Sequence, residues 1–323
     1  MTAPAPISVT TSASRFVAPV WLWSFVGAAL VWGLSVAVAG QGAGGMLTTA
    51  LAFSVFTVMV GLGQMAVVTL GPGNIDLSIP ANIGLASAVA MKVMEGADAM
   101  IAVGLLAALG AGIAIGAFNY LLIWLLRIPP IIATLSASFI IQSAGISYGR
   151  GLQIKPPPAF TEFTLVRIAG VPILFPAAVL LSLLAGLVLH RTIYGRTVSA
   201  TGQNMRAARL AGLAVGRTRL LTYILSGALA ALCGALLAGF SGGSSLSMGR
   251  EYLLASIAVV VLGGTSVAGG RAVVTGLWGG ALFLFMISTL LNTAGFGSGL
   301  RDVLTGLIII AAIAATGSRE GAR

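Results

Sequence analysis

Long apolar stretches recur along this chain from Val17 to Ala315, and only short polar connections separate them. A helix needs about 20 apolar residues to cross the roughly 30 Å hydrocarbon core of a bilayer, and open strands would leave backbone groups unpaired in lipid. Of the 323 residues, 58% are hydrophobic and 7% are charged, whereas a soluble domain carries about 25% charged residues. The chain is therefore predicted to be an all-α integral membrane protein, a polytopic bundle.

The apolar stretches predict about ten transmembrane helices in a single transmembrane domain at 17–318. Residues 1–16 are polar and contain no acid, which predicts a disordered cytoplasmic tail, and 319–323 are predicted to form a second cytoplasmic tail. The first apolar run ends in a sequence resembling a signal-peptidase site, but it is longer than a signal core of about 7–15 residues, so a retained span is favoured. The third, fifth and eighth spans are marginal in length. The predicted spans are 18–39, 47–70, 77–94, 100–126, 131–148, 172–190, 219–240, 252–267, 273–292 and 301–317.

The basic residues predict the orientation of the bundle. The chain has 17 lysines and arginines against 7 acids, and most arginines lie in segments that are cytoplasmic if the N-terminus is inside. Cytoplasmic connections of membrane proteins carry such an excess of basic residues. Both termini are therefore predicted to be cytoplasmic, in a multi-pass protein of a bacterial inner membrane. No basic face is interleaved with aromatic residues, so the net charge of +10 does not predict nucleic-acid binding.

Several patterns typical of enzymes occur without the context that gives them meaning. Gly145–Gly149 matches the nucleophile elbow, but no strand precedes it. Ser147 and the only histidine, His190, are predicted at opposite ends of their spans, far beyond hydrogen-bond reach. One histidine and one cysteine cannot build a usual metal site, and no lysine completes a P-loop. The chain is predicted to be no enzyme and to bind no cofactor itself.

A break between the second and third spans carries the acid nearest to a membrane span. Residues 71–80 contain two prolines and two glycines, which interrupt a helix. Asn74, Asp76 and Ser78 lie in this break. They could cap a half-helix that faces a solute pathway, or Asp76 and Ser78 could simply cap the third span at the cytoplasmic boundary. Since the spans offer no other acid for ion coupling, energy is expected from outside the polypeptide.

The long inner connection at about 191–218 is the most informative polar segment. Asn204–Leu210 can form a short amphipathic helix bounded by glycines. Such a helix at the membrane surface could insert into a groove of a partner protein. The alternative is an anchor whose arginines hold lipid headgroups. An anchor does not require the flanking glycines or Ala207 and Ala208.

At these positions the chain resembles the permease subunit of ribose- and sugar-type ABC importers, a family that is also similar to branched-chain amino-acid permeases. The resemblance covers roughly 47–317. Five pieces carry it, in the order that the family has them, and together they are far more specific than any one alone. They are Ile75–Ser78, Gly116–Asn119, Ile128–Leu135, Gly202–Leu213 and Val260–Gly270.

The resemblance implies a type II ABC importer-like bundle that pairs with a second permease copy or a related chain. Two separate ATPase subunits, which use ATP and Mg²⁺, dock beneath the pair, and a periplasmic binding protein delivers a small polar solute such as a monosaccharide or polyol. The implied ATPase-coupling segment contains Gly202, Asn204, Ala207, Ala208, Arg209, Leu210, Gly212 and Leu213. The residues assigned to a solute pathway or broken helix are Asn74, Asp76, Ser78, Asn119 and Thr134.

Within the coupling segment, Asn204 is expected to cap the short helix and Arg209 to pair with an acidic group of the ATPase. The chain departs from the family at Pro80 and Tyr120, where glycine is usual, and at Leu253 and Ala255, where acids are usual. Three rival functions stay open from the sequence. They are an importer of the same superfamily for amino acids or nucleosides, a stand-alone secondary carrier, and a membrane scaffold without transport.

Overall fold

The computed structural model describes residues 20–40, 42–149 and 155–317, which fold almost entirely as helices. A single 3₁₀ turn, Asp98–Met100, precedes the fourth helix, and a two-residue antiparallel hairpin, β1 (Arg167–Ile168) and β2 (Val171–Pro172), precedes the seventh. The helices are α1 (Val20–Ala39), α2 (Ala43–Thr69), α3 (Ile79–Met94), α4 (Ile101–Leu126), α5 (Pro130–Gly149), α6 (Pro158–Leu165), α7 (Leu174–Arg191), α8 (Ile193–Gln203), α9 (Met205–Leu210), α10 (Val215–Phe240), α11 (Tyr252–Leu262), α12 (Val274–Thr293) and α13 (Ser298–Gly317).

Each predicted span coincides with a helix in the described residues, but not every helix is long enough to cross a bilayer. Seven helices are sufficiently long and apolar: α1, α2, α4 with its 3₁₀ turn, α5, α7, α10 and α12. α3 and α11 are apolar but have only 16 and 11 residues. The prediction of an all-α polytopic membrane protein is therefore confirmed, whereas the count of about ten spans is not. The predicted tails at 1–16 and 319–323 lie outside the described residues.

The eighth span ends earlier than the sequence predicts. It was expected to reach residue 267, yet α11 ends at Leu262, and Gly264 adopts a positive φ of 83°. Gly263 and Gly276 touch through their backbones, so that α12 packs directly against the end of α11. A side chain on either glycine would separate the two helices. The helix itself ends because Gly264 is left-handed and the N–H of Thr265 donates to the carbonyl of Val260.

The connection between α5 and α7, which contains three consecutive prolines, forms a short helix. Pro158 occupies the first turn of α6, where the missing N–H of proline has no helical partner to lose. Phe160 is buried against Gly239 near the end of α10. The prolines therefore start a short helix that lies over the bundle.

Small residues bring the central helices together. Gly112 and Gly116 of α4 lie directly against the backbone of Gly227 and Tyr223 in α10, where any Cβ would collide. The small-residue spacing in α4 therefore serves packing within the chain. α2 is the most enclosed long helix, whereas the surfaces of α1 and α7 are mostly exposed. The outer helices therefore present apolar side chains to the membrane and surround α2 and α10.

Candidate functional site

The break between α2 and α3 is real, and it is buried inside the bundle. Gly71 and Gly73 take φ values of 124° and 76°, which carry the chain through a turn that L-residues rarely follow. Asn74, Asp76 and Ser78 are only 5%, 2% and 1% exposed. The predicted interruption of the helix is thus confirmed, and its polar side chains point away from solvent.

The carboxylate of Asp76 lies at the centre of a hydrogen-bonded polar cluster. It accepts from the backbone N–H of Ser78 at 3.0 Å and from the Ser78 hydroxyl at 2.6 Å. Ser226 of α10 donates to its other oxygen at 2.7 Å. Asn119 of α4 donates to the Ser78 hydroxyl at 2.7 Å and more weakly to Asp76 at 3.4 Å. All these partners are neutral, so hydrogen bonds alone compensate the burial of the carboxyl group.

Two further helices hold the same segment. The hydroxyl of Thr134 in α5 accepts from the backbone N–H of Leu77 at 3.1 Å and lies 3.0 Å from the carbonyl of Ile75. Gln64 of α2 accepts from the backbone N–H of Asp76 at 3.2 Å. Tyr223 of α10 donates to the side-chain oxygen of Asn74 at 3.3 Å.

The structure therefore brings all five residues assigned to the broken helix into one cluster. Asn119 and Thr134 are fully buried, so the cluster is closed to solvent in this conformation. Sequence reasoning missed Gln64, Tyr223 and Ser226, although a glutamine inside an apolar helix was a visible signal. Ser78 makes no side-chain cap for α3, and Asp76 instead holds the turn through the N–H of Ser78. The roles of the five residues in transport stay predictions.

A separate cavity opens beside this cluster, between α3, α5 and the connection that follows α10. Its volume is about 230 Å³. The polar and aromatic side chains in its wall are Ser138, Phe139, Gln142 and Arg250, which sequence reasoning did not select. Leu253, one of the two positions where the family usually has an acid, also lines it. An amide, a guanidinium and an aromatic ring are groups that can hold a hydroxylated solute, and no acid faces the cavity.

The exposed side of α5 carries several polar side chains between large apolar ones such as Phe139 and Ile140. Ser136, Gln142, Ser143 and Ser147 are all exposed, and three of them recur at spacings of seven and four residues on one side of the helix. Polar groups facing lipid are unfavourable. These polar side chains are therefore suited to water, to a solute or to another polypeptide, and their helical spacing was a signal present in the sequence.

The coupling segment forms two short helices with a sharp corner between them. Asn204 interrupts the helix with extended backbone, and its side-chain oxygen accepts from the N–H of Ala207 at 2.9 Å. This confirms the predicted cap of α9. Gly212 ends the segment at φ 78°, before α10 begins. The predicted short helix is therefore present, within the bounds Met205–Leu210.

α9 projects most of its side chains outward. Leu210 is 84% exposed, and Arg206, Ala207 and Arg209 are also exposed. Ala208 is the exception, at 4% exposed. Leu210, Arg206 and Arg209 thus form an exposed surface that could bind in a groove of another protein.

Gly202 has a different place from the one expected. It was predicted to bound the short helix, but it lies within α8 and is buried. Its Cα faces the carbonyl of Thr69 at the end of α2 and the backbone of Gly270, and a Cβ there would collide with both. Gly270 in turn donates its N–H to the same Thr69 carbonyl at 2.9 Å. The absence of a side chain at Gly202 therefore lets α8 contact α2 and the α11–α12 connection.

Tyr194 attaches the beginning of α8 to α10. Its hydroxyl lies 2.8 Å from that of Thr222. Burial raises the pKa of Tyr194 above its ordinary value of 10.0, which the hydrogen bond to Thr222 only partly offsets. The phenol is therefore neutral at physiological pH and keeps its hydroxyl proton for this contact. α8 is thus held at both ends against the membrane helices.

Known proteins resemble the chain over most of its length. The family model described as "Branched-chain amino acid transport system / permease component" matches residues 45–313. The autoinducer 2 import system permease protein LsrC of Enterobacter sp. (strain 638) is 33% identical over 84% of this chain and 79% of its own. The ribose import permease proteins RbsC of Bacillus subtilis (strain 168) and Escherichia coli (strain K12) are each 33% identical, over 75% and 77% of this chain and 76% and 78% of their own.

No solved structure matches the chain. The family match covers α2 to α12 and most of α13, and so includes both the buried polar cluster and the coupling segment. The resemblance to a permease that was inferred from five short motifs is confirmed. This chain belongs to the family of permease components of the branched-chain amino acid transport type.

Proposed function

We propose that this chain is the membrane-spanning subunit of an ATP-driven ABC importer that moves a sugar, meaning a ribose-, xylose- or galactose-like monosaccharide or a polyol. It pairs with a second permease copy or a related chain, receives solute from a periplasmic binding protein and docks two ATPase subunits. ATP and Mg²⁺ belong to those ATPases. The fold is that of a type II importer with about ten spans in a bacterial inner membrane and both termini in the cytoplasm.

The observation that carries this proposal is the connection between α9 and the interior of the bundle. α9 is exposed and carries Leu210 and Arg209 outward. It continues from α8, whose Gly202 touches the end of α2. The end of α2 leads directly into the break that holds Asp76. A movement of α9 would therefore be transmitted to the polar cluster, because backbone contacts and buried hydrogen bonds connect α9, α8, the end of α2 and the break.

In this mechanism, closure of the ATPase pair pushes α9 and tilts α8. Thr69 and Gly270 move with Gly202, and Thr222 moves with Tyr194, so that α2, α10 and the α11–α12 connection shift as rigid bodies. The cluster around Asp76 keeps the break between α2 and α3 intact during that shift. The solute itself passes the polar side chains of α5.

The chemistry of the cavity beside α5 favours a sugar or polyol over an amino acid. Gln142 and Arg250 can hydrogen-bond to hydroxyl groups, and the ring of Phe139 can pack on the apolar face of a pyranose or furanose. An amino acid would bring an ammonium group, and no acidic side chain lines this wall to receive it. The relatives named for ribose and for autoinducer 2 support the same class.

The decisive experiment is purification of the tagged chain from its native membrane, followed by mass spectrometry and by transport assays in reconstituted vesicles. We expect a co-purifying ATPase that is lost in Arg209→Glu. The matched control is Arg167→Glu on the β-hairpin, which reverses a charge at the predicted outer surface. Uptake driven by ATP and abolished only by Arg209→Glu supports the proposal. Retention of ATPase and full uptake in Arg209→Glu would remove the proposed role of Arg209.

The rival functions are separated by the same preparation. Uptake that needs no ATPase and stops when the ion gradient is collapsed would replace the proposal with a secondary carrier. Assembly without any solute flux would identify a scaffold. Competition by labelled amino acids or nucleosides, but not by monosaccharides, would assign the chain to another solute of the same superfamily.

A further inference from the structure

A second cavity lies at the end of the bundle where the coupling segment meets the membrane helices. Its volume is about 490 Å³. The last turn of α4 and the connection that follows it form one wall, and α9 and the first turns of α10 form the other. Arg127, Arg209 and Arg219 come from three separate helix ends to line it, together with Trp124 and Leu125.

The three arginines around this cavity are not neutralised within the described part of the chain. None of them has an acid within 4.0 Å there, and no acidic side chain lines the cavity. The Nε of Arg219 is buried without a hydrogen-bond partner among the described residues, and its guanidinium lies 5.9 Å from the ring centre of Tyr120. Three like charges around one space repel each other, so an anion between them would be strongly attracted.

The apolar side chains beside the cavity favour the headgroup of a lipid over a free phosphate ion. Trp124, Leu125 and Leu126 are 63%, 62% and 56% exposed on the last turn of α4, which is long and apolar enough to span the membrane. Tryptophan at the end of such a helix is typical of the level of the lipid headgroups. An occupant held by the arginines would therefore have apolar surface beside it on one side, as the acyl chains of a lipid require, and a free phosphate ion would leave that surface uncovered.

We propose that Arg127 and Arg219 bind the phosphate of an anionic phospholipid whose acyl chains lie along Trp124 and Leu125. Guanidinium groups form bidentate, charge-assisted hydrogen bonds with phosphate, and basic pockets between membrane helices are suited to acidic headgroups. The bound headgroup joins the end of α4 to the first turns of α10, beside α9. It thereby steadies the coupling segment at a place distinct from the contacts of Gly202.

The test is native mass spectrometry of the full-length chain in detergent, titrated with phosphatidylglycerol, with phosphatidylcholine and with inorganic phosphate. Each guanidinium–phosphate contact is a charge-assisted hydrogen bond, so Arg219→Ala and Arg127→Ala should each lower the affinity for phosphatidylglycerol about tenfold. Arg219→Lys keeps the positive charge but cannot donate two parallel hydrogen bonds, so its affinity for phosphatidylglycerol should fall less than that of Arg219→Ala. It serves as a second variant in case Arg219→Ala fails to fold. Arg217→Ala is the matched control, since Arg217 is exposed two residues away and does not line the cavity.

Selective binding of phosphatidylglycerol that falls in the two cavity variants and not in the control supports the proposal. Equal binding of phosphatidylcholine, or equal loss in Arg217→Ala, overturns it. Displacement of the lipid by millimolar inorganic phosphate would show a site for small anions instead. If the cavity variants keep lipid but lose a co-purifying ATPase, the arginines serve a protein partner. Lipid binding is measured without solute or ATP, so its failure is distinct from a failure of the proposed transport.

Discussion

The contact of Gly202 with the end of α2 leads to a prediction whose size follows from the structure. In Gly202→Ala, the new Cβ would meet the carbonyl oxygen of Thr69 and the backbone of Gly270 at distances that real Cβ atoms do not reach. Both obstacles are backbone, so no side chain can turn aside, and overpacking of this kind costs about 1–3 kcal/mol. The matched control is Gly216→Ala in the first turn of α10, where the nearest atom is the hydroxyl of Tyr120 at 3.4 Å.

Both substitutions replace a helical glycine, so the gain in helix propensity of about 0.5–1 kcal/mol is common to the two variants and cancels in their difference. We therefore expect Gly202→Ala to be about 1–3 kcal/mol less stable than Gly216→Ala, measured by reversible unfolding in mixed detergent micelles. Vesicles containing Gly202→Ala should also show ATP hydrolysis that is uncoupled from uptake. Equal stability of the two variants, with normal coupling in both, would refute the proposed close contact between α8 and α2.

Three further substitutions test the other sites. Ser226→Ala removes the hydrogen bond to the second oxygen of Asp76 and should cost about 1–3 kcal/mol, because a buried acceptor loses its partner. Ser35→Ala, which loses only a bond within its own helix, should cost less in the same unfolding assay. Asn204→Ala should destabilise α9 by about 1 kcal/mol and weaken ATPase co-purification, while the protein stays folded by circular dichroism. Phe139→Ala should raise the solute concentration needed for half-maximal uptake without affecting ATPase binding, and unchanged uptake would remove Phe139 from the pathway.

The sequence predicted the elements of this fold better than their mutual contacts. The apolar runs predicted the helices because each run must satisfy its own backbone in lipid, which is a local requirement. The cap of α9 by Asn204 is local as well, since the oxygen and the N–H that it accepts are three residues apart. α11 was predicted too long because the prediction followed the apolar run past Gly264, whose left-handed backbone ends the helix.

In the polar cluster, too, the local features were predicted from the sequence and the contacts between helices were not. The prolines and glycines of residues 71–80 predicted the break, and Asp76 was recognised as an acid beside the apolar spans. Gln64 and Ser226 were not recognised, because each becomes a partner of Asp76 only when α2 and α10 are packed against the break. Their polarity is visible in the sequence, but their common target is not.

By itself, the sequence determined that the chain is a helical membrane protein, where its helices are interrupted, and which permease family it resembles, since these follow from composition, local backbone chemistry and short motifs. Only the tertiary structure decided that the five polar residues share one closed cluster, that Gly202 is a contact point and not a helix boundary, and that three arginines line one cavity. Each of these depends on atoms far apart in the chain, whose meeting is set by the packing of small residues between helices and not by any local preference.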